Sequence, residues 1–293
     1  MNLALPSLVM NQPLRHVTEL LDAQQSDASE WFVKLWALTQ QLRERVNERF
    51  PNLVRDPSSL AHDRYASTSA DGPNGHMTTW TGDNIDWMVH SHLVNTKMGF
   101  CNMHLTLWLG PQIKVPHLAF AFGTFPDLFF LADFPTRADT IVDTEHLFKY
   151  HEELNPIWLK HRENSELRPF VSRSLYVRET LSETAWCYLA DKTDENVALY
   201  SEMANQALDI WFRWIDEAVA VASEDQAVLA QRDLQVRRYA ADLDPANALA
   251  VRYFGEEKVH QLERQLWGAD RELRRVGGFS NECPPPAKRP SNY

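Results

Sequence analysis

Between residues 77 and 134 the chain breaks into five short runs, MTTWTG, IDWMVHSHLV, GFCNMHLTLWLG, VPHLAFAFGTF and LFFLADF. Each is rich in aromatic and β-branched residues and each is bounded by turn residues, so together they read as five antiparallel strands. Helical patterns flank this block. One opens at Ser29 and carries the stripe Phe32, Leu35, Trp36, Leu42 and Val46 until Pro51 ends it. Residues 51–76 are polar and punctuated by Pro and Gly, which predicts a long loop. Asp143-Thr144-Glu145 is a helix start before HLFKYHEEL, and Pro156 interrupts or restarts that helix. SRSLYVRETL reads as a strand or an extended loop. The spacing of Ala204, Ala207, Leu208, Trp211, Trp214, Ile215 and Ala218 predicts a long helix within Asp194 to Val221, and 224–241 and 254–274 read as further helices.

A block of strands with helices before and after it belongs to the α/β class, as a three-layer α/β/α sandwich with a central antiparallel sheet. Residues 1–76, which include a weak helical pattern over 1–25, are expected to pack on the sandwich as N-terminal helices and a loop. Residues 77–276 form the α/β/α domain, and the Pro-rich tail 277–293 is expected to be disordered.

Charge and cysteine content narrow the function. Lys and Arg total 29 against 40 Asp and Glu, a net charge of −11. That balance argues against a nucleic-acid partner, which calls for a basic surface, and against an anionic membrane surface. No apolar run approaches the ~20 residues that span a bilayer. The N-terminus lacks an early basic region and a clean small-residue cleavage site, so no signal peptide is expected. Cys101, Cys187 and Cys283 are far apart and form no CxxC, which points to a reducing, cytoplasmic setting without disulfide, iron–sulfur or zinc-ribbon frameworks. There is no GxGxxG and no Walker-type loop, and Gly72-Pro73-Asn74-Gly75 reads as a turn, so no nucleotide or flavin fingerprint is present.

Three features of the strand block carry chemistry. His90 and His92 share one face of a strand, with His104 and His117 on the strands that follow. They are either metal ligands of a facial triad or a zinc site, or hydrogen-bonded histidines of a mixed sheet. In VPHLAFAFGTF, His117, Ala119 and Ala121 face one way and Leu118, Phe120 and Phe122 the other. The small face either leaves room for a ligand or is filled by a large side chain. Asp133 ends an otherwise apolar strand. It is either a desolvated carboxyl that keeps a proton near neutrality, suited to general acid catalysis, or part of the turn Asp133-Phe134-Pro135-Thr136.

DFPTRAD at 133–139 followed by HLFKYHEE, LRPFVSRSLYVRETLSETAW at 167–186, RRYAADLD at 237–244 and RYFGEE at 252–257 stand in one order. Together they resemble red chlorophyll catabolite reductase, within the ferredoxin-dependent bilin reductases, over about residues 133 to 260. The resemblance implies an α/β/α sandwich with no bound metal or flavin and a linear tetrapyrrole substrate. Electrons would come one at a time from reduced ferredoxin, and the protein would supply the protons. It carries the family's C-terminal aspartate onto Asp242, but its strand glutamate falls on Ala121. The related phycobilin-forming reductases place a histidine and an aspartate at His117 and Asp133, and their glutamate falls on Thr106. The resemblance therefore assigns proton donation to His117, Asp133 and Asp242, and a substrate pocket that includes Thr106 and Ala121. His117 and Ala121 lie about 13 Å apart along the strand, so one cannot stand in for the other.

Arg137, Arg173 and Arg178 are either partners for substrate propionates or members of surface salt bridges. Lys160, His161, Arg162 and Arg168 are either a basic dock for acidic ferredoxin or a solvated helix face. Two other functions remain alongside the reductase: a metal-dependent oxygenase built on the strand histidines, and a non-catalytic tetrapyrrole-binding protein. A homodimer is left open.

Overall fold

The computed structural model describes residues 27–69, 71–124, 127–245, 247–272 and 285–286. The helical pattern expected over 1–25 lies outside them, as does the expected disordered tail apart from residues 285–286. The five predicted strands are present as β3 (Asn74–Gly82), β4 (Ile85–Asn95), β5 (Phe100–Leu109), β6 (Leu118–Thr124) and β7 (Leu128–Asp133). They pair in sequence order, each antiparallel to the next.

Four further strands extend this sheet. β1 (Val54–Arg55) and β2 (Tyr65–Ala66) edge β3, and β9 (Trp186–Ala190) joins β7 to β8 (Arg168–Pro169). Residues 51–76 are therefore not the continuous loop expected. Their polar residues sit in short edge pairings, and Pro57–His62 forms a 3₁₀ turn capped by the Asp56 carboxylate.

Period-2 alternation then separates two layers. Leu118, Phe120 and Phe122 point into the main core together with Leu105, Leu107, Phe130 and Tyr188. That face is covered by α1 (Ser29–Arg49), through Leu35, Leu38, Leu42 and Val46, and by α4 (Asp194–Asp216), through Tyr200, Leu208, Trp211 and Trp214. α4 begins where Thr193 accepts a hydrogen bond from the Asn196 amide, with Asp194 and Glu195 in its first turn, where carboxylates suit the helix dipole. Its two tryptophans are fully buried, and each keeps its indole N–H satisfied. Trp211 donates to the Pro116 carbonyl at 2.9 Å and Trp214 to Glu153 Oε2 at 2.9 Å. Burial of each such side chain contributes about 3 kcal/mol.

The other face of the sheet meets α3 (Leu175–Thr180), α5 (Ser223–Leu243), α6 (Asn247–Phe254) and α7 (Glu256–Trp267). The α3 segment was read as a strand or extended loop. It is helical because Ser174 Oγ caps the Val177 amide at 3.4 Å and Arg178 ties back to the Ser172 carbonyl at 2.8 Å. These local bonds outweigh the strand propensity of Tyr176 and Val177.

α2 (Glu152–Glu163) passes through Pro156 unbroken, behind a π-helical turn at Leu147–His151 and the Asp143-capped start that the sequence predicts. α7 is stopped by Gly268 in the left-handed region (φ 61°) and is bolted to the sheet. Trp87 Nε1 donates to the Gln265 carbonyl at 3.0 Å, and the Gln265 amide reaches Thr79 Oγ1 at 3.0 Å. None of the described helices is long and apolar enough to cross a membrane.

Candidate active site

Strand residues of the second parity floor a cavity of about 200 Å³. Ala119 and Ala121 on β6 are flanked by His104 and Thr106 on β5 and by Leu131 and Asp133 on β7. The register makes this one surface, because His104 pairs with Ala121, Thr106 with Ala119 and Ala119 with Asp133. The small methyl groups of the floor leave the void. Tyr176 and Val177 from α3 and Val236 and Ala240 from α5 close it from above. A second cavity of about 180 Å³ adjoins it under α6 and α7, and His104, Asp244 and Leu266 line both.

Asp133 is the buried carboxyl of the floor. Its Oδ1 accepts three hydrogen bonds, from Ser182 Oγ at 2.6 Å, the Phe134 amide at 2.8 Å and the Ser182 amide at 3.2 Å. Burial nevertheless outweighs these bonds and pushes its pKa up to about 6. With Oδ1 saturated by donors, Oδ2 is the oxygen left to carry a proton. The turn and the desolvated acid, opposed in sequence, are thus the same feature: the bond from the Phe134 amide is turn chemistry, and it orients the acid.

The other expected acids sit differently. His117 precedes β6 and is absent from the cavity lining. Its Nδ1 accepts from the Leu109 amide at 3.0 Å, and its Nε2 stands 3.4 Å from Asp233 Oδ1, too poorly aligned to count as a hydrogen bond. Burial, opposed in part by Asp233, lowers its pKa to about 4, so the ring is neutral. It packs edge-on against Trp108, which does line the cavity, with ring centroids 4.6 Å apart.

Asp242 lies in the last turn of α5 and lines neither cavity, with 35% of its side chain exposed and Arg264 Nη1 3.8 Å away. Asp244, two residues further on, lines both cavities. Asp242 is still helical, whereas Asp244 is the C-cap of α5 in extended backbone (φ −67°, ψ 118°), so the chain leaves the helical path between them.

Arg137 is fully buried and its guanidinium is committed. Nε and Nη2 bond Asp233 Oδ2 at 2.9 and 2.6 Å, and Nη1 bonds the Gly110 and Ile113 carbonyls at 3.1 and 2.6 Å. Arg178 Nη1 is spent on the Ser172 and Arg173 carbonyls, while Arg173 itself is exposed. The basic run after α2 is also divided. His161 is buried against Trp186, Arg168 pairs with Asp127 and Asp191, and Lys160 and Arg162 remain on the surface.

The strand histidines do not converge. His90 pairs across the sheet with Leu105, and His104 with Ser91, so the two imidazoles leave on opposite faces. His90 and His92 pack against Trp36 of α1, and His90 Nε2 meets Thr39 Oγ1 at 3.1 Å. Among the described residues no group of three or more His, Cys, Asp or Glu is placed to hold a metal.

Tyr176, Ser182, Asp244 and Glu263 were missed as site residues in sequence. Glu263 alone carried a signal, since it follows Val259 by four on the apolar stripe Val259, Leu262, Leu266.

Comparison with known proteins places this geometry. The family model for red chlorophyll catabolite reductase matches residues 36–265. The red chlorophyll catabolite reductase of Arabidopsis thaliana, a chloroplastic protein, is 28% identical over 144 residues, 44% of this chain and 44% of that protein. The chloroplastic reductase 1 of rice (Oryza sativa subsp. japonica) is 27% identical over 201 residues, 63% of this chain and 60% of that protein. The chain thus matches less than two thirds of the length of either. The barley (Hordeum vulgare) protein is 27% identical over 192 residues, 59% of this chain and 91% of its own length. In three dimensions the chain is similar to tomato phytochromobilin synthase, solved in complex with biliverdin. The TM-score is 0.69 at 14% identity, covering 82% of this chain and 85% of that one, a likeness of fold. The cytoplasmic location expected from the sequence is overturned by the chloroplastic Arabidopsis and rice relatives.

Proposed function

The chain belongs to the red chlorophyll catabolite reductase family, and we propose that it reduces a linear tetrapyrrole with electrons supplied singly by reduced ferredoxin and protons supplied by its own carboxyl groups. The observation that carries this reading is a buried Asp133 whose pKa burial raises to about 6, at the edge of a floor of alanines. A flat conjugated ligand lies on Ala119 and Ala121, between the floor and Tyr176. As an electron arrives, Asp133 Oδ2 gives up its proton to the ligand. The carboxylate left behind is held by the Ser182 and Phe134 donors until solvent reprotonates it. Asp244 faces the ligand from the helical wall, whereas Asp242, to which the resemblance assigns proton donation, lines neither cavity. His117 acts as a positioning residue that sets Trp108. Arg173 is the arginine assigned to a propionate. Lys160 and Arg162 are the assigned contact for ferredoxin, which predicts an apparent affinity that weakens with salt.

Absorbance titration with biliverdin, red chlorophyll catabolite and other bilins tests the reading. A red or blue shift of the bound pigment, followed by bleaching of the conjugated system on addition of reduced ferredoxin, is the expected result. No shift with any bilin would sink it. A shift without turnover leaves the tetrapyrrole-binding protein, a reading that Ala121 and Thr106, in place of family acids, keep alive.

Ala121→Phe is expected to raise the Kd for the pigment at least tenfold. The new ring enters an existing void rather than the packed core, so the free energy of unfolding in urea should change by no more than ~1 kcal/mol. Unchanged affinity would mean that the pigment does not lie on this floor.

A further inference from the structure

The second cavity has its own acid. Glu263 on α7 contributes to its lining, and Glu263 Oε1 is fully buried with no hydrogen-bond partner among the described residues. The nearest cation in sequence, Arg264, is turned elsewhere, with Nε on Asp270 at 2.6 Å and Nη1 3.8 Å from Asp242. The groups that face Glu263 are Asp242 and Asp244 from the end of α5, and the neutral imidazole of His104 with the Tyr65 phenol on the sheet side. A carboxyl that is desolvated, has no compensating donor and sits beside two other carboxylates keeps its proton. Burial, then Asp244 and Asp242, raise its pKa to about 8. The bolts from Trp87 and Gln265 fix the helix that carries it.

We propose that Glu263 is the second proton donor of the reductase, serving the part of the ligand that extends past His104 into the cavity under α7. This inference rests on the reductase reading above. Reduction of one double bond takes two electrons and two protons. Both electrons come from reduced ferredoxin, one proton leaves Asp133 Oδ2 and the other leaves the Glu263 carboxyl, and each carboxylate is reprotonated from water. Asp133 and Glu263 thus approach the pigment from the sheet and from the helices.

The test compares wild type, Glu263→Gln and Asp244→Asn in pigment absorbance and single-turnover rate between pH 5.5 and 9.5. In wild type the bound-pigment spectrum and the rate should both titrate near pH 8, with activity lost on the alkaline side. Glu263→Gln should bind within about twofold of wild type, turn over at least tenfold more slowly and lose the titration near pH 8. Asp244→Asn should fold normally and move that titration to lower pH, because the neighbouring charge is gone. Wild-type rate in Glu263→Gln, or an unmoved titration in either variant, overturns the proposal. Failure of wild type to bind any bilin overturns the reductase reading and this inference with it, whereas wild-type binding with an unaltered Glu263→Gln profile overturns this inference alone.

Discussion

Replacing Asp133 with Asn is expected to lower turnover at least about 100-fold while leaving pigment affinity within a factor of about three. General acids contribute about 10²–10⁴ in rate, and the amide cannot supply a proton. The substitution suits the site because Asn Oδ1 can accept the same three hydrogen bonds from Ser182 and Phe134. The same variant should be more stable at neutral pH. A folded pKa of about 6 against an unfolded value of 3.8 means that the native state binds more protons between those values. Stability therefore falls as pH rises from about 4 through 6 and is level above. At about 1.4 kcal/mol per pKa unit the charged form costs the fold on the order of 3 kcal/mol, which Asn removes. Urea unfolding at pH 5 and pH 8 should show this slope in wild type and not in the variant. Full activity in Asp133→Asn would remove the residue from the chemistry, and an unchanged pH slope would mean that it is not desolvated.

The largest stability loss is expected at Asp233, which lines neither cavity of the candidate site. Asp233→Ala strands the fully buried Arg137 and takes the partner away from His117. Removing one member of a buried ion pair costs about 3–5 kcal/mol, here a fall in Tm of roughly 10 °C. Replacing both ends, Arg137→Met with Asp233→Leu, should recover part of that loss, because an apolar pair leaves no unpaired charge. Although burial disfavours its charge, His117 and Arg137 hold the Asp233 carboxyl well below the ordinary range. Its contribution is accordingly present above the unfolded carboxylate pKa of about 4 and lost as pH falls further. Arg137 also pins the Gly110 and Ile113 carbonyls, so the single variant should loosen the segment between β5 and β6 in hydrogen exchange. A melting temperature within 2 °C of wild type would count against this assignment.

The strands and long helices were legible because their burial is periodic. LAFAFGT announces its two faces residue by residue, and WFVKLWAL and MANQALDIWFRWI carry apolar stripes of helical period. The helix Leu175–Thr180 was not legible, since a single serine cap and an arginine tie hold it against residues that favour strands. The site was read in part. Asp133, Thr106 and Ala121 lie where alternation puts them, because sheet parity follows from counting. Arg137 looked like a surface arginine because its partner Asp233 is 96 residues away in sequence. The choice between Asp242 and Asp244 turns on where α5 ends, since Asp242 is helical and Asp244 is the extended cap, a boundary that sequence places only to within a residue or two.

The split between the two faces of β5, β6 and β7 also bears on how such a protein can change. Along LAFAFGT, Ala119 and Ala121 floor the void while their neighbours Leu118, Phe120 and Phe122 build the hydrophobic interior on the other side. Mutations at 104, 106, 119, 121 and 131 can therefore be sampled with little debt to folding, while one step along the chain the same kind of change is penalised. A lineage built this way can vary what its cavity accepts by drift at alternate positions of three adjacent strands. A combinatorial library confined to those positions should yield mostly folded proteins of altered colour selectivity.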